Sequence, residues 1–156
     1  ICYCLRIILE RRIEMALSVK TGNFGGSTGG GLDNFEKVGT FNFPATSLNR
    51  NNLICENAKI EAPNSYLLVL SVKGTVTAGI NYDTILSLST DFIVSSVTTT
   101  MAGIGTILTN INGNTTRETV NASITINPTE KTITVKYTND YFNKSNAYEV
   151  EIFKIT

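Results

Sequence analysis

From Phe35 to the end of the chain, apolar and polar residues keep a two-residue rhythm, interrupted at short intervals by Gly, Pro, Asn and Asp. A pleated strand with one buried face has that period, whereas an amphipathic helix repeats every three to four residues. No window has helical spacing. The rhythm is plainest in the last third, where Val120, Ala122, Ile124 and Ile126 alternate with Asn121, Ser123, Thr125 and Asn127. Ile133, Val135 and Tyr137 then alternate with Thr132, Thr134 and Lys136, and residues 148–155 alternate again. Asn112-Gly113, which follows an apolar run over 104–111, is a strong two-residue hairpin signal. Asn127-Pro128-Thr129-Glu130 suits a type I turn, with Asn first and Pro second.

Further strands are expected over 35–43, 53–60, 66–72, 75–80, 84–88 and 92–100, with Leu86 and Leu88 sharing one face and Asp91 marking a break. Residues 66–72 are apolar on both faces, as in a strand covered from both sides. About nine or ten short strands, rich in Thr, Val and Ile, indicate an all-β domain. The expected architecture is a β-sandwich, jelly-roll-like in topology. At 156 residues the chain supports one such domain without covalent staples. A two-layer sandwich of this size leaves a strand such as 66–72 for a neighbouring copy to bury.

The N-terminal region differs in kind. Residues 21–31 read Thr-Gly-Asn-Phe-Gly-Gly-Ser-Thr-Gly-Gly-Gly, a flexible tether with a high ordering cost. A phosphate-binding loop is the alternative, but no Gly-Lys-Ser/Thr follows and no strand–loop–helix pattern surrounds it. Residues 15–33 are therefore read as a short N-terminal strand and tether, and 34–156 as the sandwich. Residues 1–14 resemble nothing that follows. Arg11-Arg12 can be encoded as AGG AGG, a ribosome-binding sequence, with Ile13 and Glu14 spacing it from Met15, so this stretch is expected to be a translated leader. On that reading the protein starts at Met15 and carries no export signal.

Composition narrows the chemistry. Histidine is absent, and with it the Ser–His–Asp triad, the Cys–His dyad and any histidine-ligated zinc. No cofactor or metal is expected, and the chain is read as non-enzymatic. Charged residues make up 17 % of the chain and the formal charges balance. The lysines are scattered, so no patch would neutralise a row of phosphates, and nucleic acid is not an expected partner. No apolar run is long enough to span a membrane. Cys2 and Cys4 fall in the leader, which leaves Cys55 as a small buried hydrophobe.

Binding residues are sought in the loops, where a rigid β scaffold usually carries them. Residues 138–146, Thr-Asn-Asp-Tyr-Phe-Asn-Lys-Ser-Asn, form a long connection. Asn139, Asp140, Asn143 and Asn146 could hydrogen-bond sugar hydroxyls while Tyr141 stacks on a ring, with Tyr82 supplied by the shorter 81–83 loop. The competing reading tucks Tyr141 or Phe142 into the core edge and uses the amides in Asx turns. Asp83, Asp91 and Asp140 could offer oxygens to Ca²⁺, though their spacing does not support it. Glu149 and Glu151 share a strand face but alternate with Val150 and Ile152, as solvent-facing residues do.

The start Met-Ala-Leu-Ser-Val-Lys-Thr-Gly with its glycine tether, the Asn/Thr-rich strands and the closing Ala147-Tyr-Glu-Val-Glu-Ile-Phe-Lys-Ile carry a resemblance. Residues 15–156 resemble the small β-sandwich proteins of bacteriophage particles: head-fibre, decoration and tail or baseplate receptor-binding modules. The resemblance implies a homotrimer located in the virion after synthesis in the bacterial cytoplasm. It also implies anchorage to other virion proteins through the N-terminal segment, and a sandwich exposed to solvent or to a host surface glycan. The alternative from another class is a bacterial carbohydrate-binding β-sandwich module, using Tyr82 and the 139–146 loop.

Overall fold

The computed structural model describes residues 34–74, 82–137 and 142–156. The expected leader (1–14), the tether (15–33) and the strand over 75–80 lie outside them. The chain divides into two units, Ile1–Glu36 with Thr156, and Lys37–Ile155. In the described part of the first, the Thr156 amide donates to the Asn34 carbonyl at 2.9 Å.

The described residues are all-β, with eight strands and no helix: β1 (Phe35–Phe43), β2 (Asn52–Cys55), β3 (Ser65–Lys73), β4 (Tyr82–Ile93), β5 (Thr99–Ile111), β6 (Asn114–Asn127), β7 (Thr132–Tyr137) and β8 (Ala147–Ile155). They form one hydrogen-bonded series, β1-β8-β3-β4-β5-β6-β7-β2. β3 to β7 is a meander of consecutive antiparallel pairs; β8 returns to pair with β3 and β2 pairs with β7, both antiparallel. Leu53 and Cys55 of β2 share one hydrophobic cluster with Tyr148, Val150 and Ile152 of β8. Those strands stand near opposite ends of the series, so the sheet curls until it nearly closes around a single core.

The alternation read from the sequence is the burial pattern observed. Val120, Ala122, Ile124, Ile126, Ile133, Val135 and Tyr137 all point into the core. Asn112 and Gly113 have φ of 51° and 84°, the left-handed pair a type I′ hairpin needs. The Asn127 side chain accepts from the Thr129 and Glu130 amides at 3.1 and 3.0 Å, which closes the second turn. At the far end of that turn Lys131 has φ 57° and its ammonium donates to the Ile60 carbonyl at 2.7 Å. This bond ties the turn to the segment that follows β2.

Four expectations are corrected. The segment expected as a strand over 53–60 leaves the sheet at Cys55. Asn57, with φ 56°, kinks the backbone, and Ala58 and Ile60 reach the core from outside the sheet. Residues 84–88, 92–100 and 104–111 make parts of two strands, not three. Asp91 does not end β4, because its side chain faces solvent while Phe92 stacks on Tyr66 with centroids 5.7 Å apart. Gly103 and Gly105 lie inside β5, which starts at Thr99, before the expected 104. Gly105 sits where a Cβ would come within 2.3 Å of the Ser87 carbonyl oxygen, so β4 and β5 approach closely there only because that atom is missing. Leu86 and Leu88 do not share a face. A register shift between Ile85 and Ser87 sends Ile85 and Leu88 to the core cluster and leaves Leu86 buried outside it. Finally, Leu67 and Val69, on the second face of β3, are already buried within the chain. That strand therefore leaves nothing for a neighbouring copy to cover.

Candidate functional site

At the end of the sheet where β7 stops and β4 and β8 begin, two loops are knitted together. Backbone bonds join Arg50 and Phe142 in both directions (N to O 3.1 and 2.7 Å), and the Thr46 amide donates to the Lys144 carbonyl at 3.0 Å. The Lys144 amide in turn donates to the Asn49 side-chain oxygen at 2.9 Å. Each bond satisfies a main-chain group that a loop would otherwise leave to water.

Of the residues expected to bind, Asn139, Asp140 and Tyr141 lie outside the described residues, as does the side chain of Tyr82. Asn143 and Asn146 are both buried. The Asn143 side chain accepts from the Ser145 amide at 2.9 Å, an Asx turn, and the Asn146 amide nitrogen donates to the Thr84 hydroxyl at 3.3 Å. Phe142 is buried in the core edge, its ring edge-on to Tyr148 at 5.3 Å and 75°. Phe142 and Asn143 thus follow the competing reading made from the sequence, while Asn146 is buried against Thr84 and makes no Asx turn. The structure does bring the 143–146 turn to Thr84, two residues after Tyr82.

Sequence reasoning passed over Arg50 and Tyr148. The Arg50 Nη2 donates to the Pro44 carbonyl, and the guanidinium lies 5.8 Å from the centre of the Phe43 ring. Its Nη1 is buried and has no hydrogen-bond partner. The Tyr148 hydroxyl is likewise buried with no partner that meets hydrogen-bond geometry. Burial pushes the Tyr148 phenol up to about 12, and the Asn143 main chain, the Asn146 side chain and the Arg50 charge pull it partly back. Two signals were available in the sequence. Arg50 stands in an Asn-Arg-Asn-Asn run with no acidic neighbour, and Tyr148 takes an inward position where its hydroxyl must be accommodated.

On the outer side of β8 the carboxylates have ordinary work. Glu151 pairs with Lys37, and Glu149 with Lys73 at 3.1 Å. Among the described residues no three acidic or cysteine side chains gather as a metal site. Cys55 is buried and its thiol is pushed up to about 12 by that burial. Compared with protein families, curated proteins and solved structures, the chain gives no match.

Proposed function

We propose that this chain is a non-enzymatic structural protein of a phage particle, a fibre, decoration or receptor-binding module acting through assembly and surface attachment. One observation supports this above others. The β5–β6 hairpin continues past the core: residues 111–119 are all exposed, yet strand pairing runs unbroken to Ile111 and Asn114. An element that buries so little adds little to stability, so its order is explained best by a task at the surface. The absence of histidine from the sequence supports a role outside acid–base chemistry. In this reading the curled sheet is the two-layered body of a sandwich, jelly-roll-like in use, and the hairpin is the arm through which copies meet as a trimer.

Light scattering after size exclusion, on the full chain and on an arm-shortened variant, tests it. Removing residues 108–111 and 114–117 takes four from each strand. An even number keeps the Asn112-Gly113 turn on a pair of the same hydrogen-bonding type. The full chain is expected at three times its 17.0 kDa monomer mass, and the shortened chain, still folded, at one. A full chain that is monomeric at micromolar concentration sinks the proposal.

A further inference from the structure

We propose that the Arg50 guanidinium, together with the Tyr148 hydroxyl, is a binding site for a carboxylate group. The geometry carries it. Pro44 and Phe43 hold the guanidinium plane by a hydrogen bond on Nη2 and a ring contact at 5.8 Å. Nη1, with two N–H donors, is left buried and unmet. The ion pairs among the described residues are Lys37–Glu151 and Lys73–Glu149, so no carboxylate of that part of the chain serves Arg50. A buried donor on a charged group costs its full desolvation when it goes unmatched, and water alone restores the hydrogen bond without the opposite charge.

A carboxylate supplies both. Its two oxygens accept from Nη1 and from the Tyr148 hydroxyl, a buried group near enough to Arg50, Asn143 and Asn146 for all three to act on its phenol. The guanidinium acts on the Tyr148 phenol together with two neutral groups, the Asn143 main chain and the Asn146 side chain, so one positive charge balances a single negative charge, which fits a carboxylate better than a phosphate dianion. Residues 44–49, which lead to Arg50, are all exposed. A ligand enters by displacing that loop, whose tie to the neighbouring one is the Thr46–Lys144 bond at 3.0 Å. The site stands independently of the virion reading.

The test is an NMR titration of the full chain with sodium acetate against sodium chloride at constant ionic strength, following the Arg50 Nε–H and the Tyr148 amide. Acetate is expected to give saturable shifts that chloride does not. Arg50→Gln weakens binding roughly tenfold or more, as expected for a lost bond to a charged group. Tyr148→Phe weakens it by a smaller factor and keeps the buried ring, so it carries the test if Arg50→Gln does not fold. A parallel titration with sodium glucuronate and with glucose separates the sources. Tighter binding of glucuronate than of acetate identifies an acidic sugar, and equal binding identifies a bare carboxylate such as a chain terminus. A linear response to acetate, or an affinity unchanged in both variants, overturns the proposal.

Discussion

The two halves of the β5–β6 hairpin are made by one pairing register and differ in almost everything else. In the inner half, Gly103, Gly105, Ile107, Val120, Ala122, Ile124 and Ile126 are buried. In the outer half, over 108–119, Leu108 and Ile111 stand among Thr, Asn, Arg and Glu, and residues 111–119 are all exposed. The register is continuous from Thr99–Ile126 to Ile111–Asn114. Strand pairing can therefore be propagated from a core and closed by a turn without further burial. Stability cannot, since it scales with apolar area removed from water.

The largest expected effect that would break this contrast is a pair of truncations. Ile124→Ala, at a fully buried position, is expected to cost about 2–5 kcal/mol of unfolding free energy. Ile111→Ala, at 57 % exposure, is expected to stay within about 0.5 kcal/mol. Urea titrations of both settle the matter, and comparable losses would mean that the arm is packed against something.

A smaller effect belongs to the inner region alone. Burial raises the Cys55 thiol from 9.0 and the Tyr148 phenol from 10.0, each to about 12. The folded chain holds these protons more tightly than the unfolded one, so their contribution is intact below pH 9 and declines as the pH climbs toward 12. Stability measured across that window should fall, and Cys55→Ala should flatten part of the fall. A curve unchanged by that substitution would place the alkaline transition elsewhere.

The smallest effect on stability is expected at the outer edge of the arm. β7 pairs with β6 only over residues 122–127, and among the described residues no strand pairs with 114–120 on that side. A second copy adding there through a two-fold axis must set one residue opposite itself. The register that uses the whole stretch sets Arg117 against Arg117, and centring on the next residue sets Glu118 against Glu118. Either puts like charges on one face, so the edge resists extension by its own copy, and a threefold assembly has to use the faces or tip of the arm. Replacing both residues by Thr should leave the unfolding free energy within about 0.5 kcal/mol of the parent. It should also introduce concentration-dependent association visible by light scattering. A double variant that shows no new association would mean the edge is guarded by something other than charge.

What could be read from the chain without coordinates was local. Asn112-Gly113 and Asn127-Pro128 specify turns within a few residues, and the inside–outside order of β6, β7 and β8 follows from a period of two. The eight-strand order, the register shift at 85–87 and the burial of Leu67 and Val69 depend on which strand lies alongside, and alternation is the same whatever the neighbour. Asp91 misled because it looks like a break, whereas a side chain pointing to water is compatible with a continuing strand. Asn143 and Asn146 were legible as a polar turn, but their inward direction was not. The Arg50–Tyr148 pair was hidden for a related reason. Residues far apart in sequence meet only after β8 returns to β3 and two loops zip together, and that encounter is set by the curl of the whole sheet.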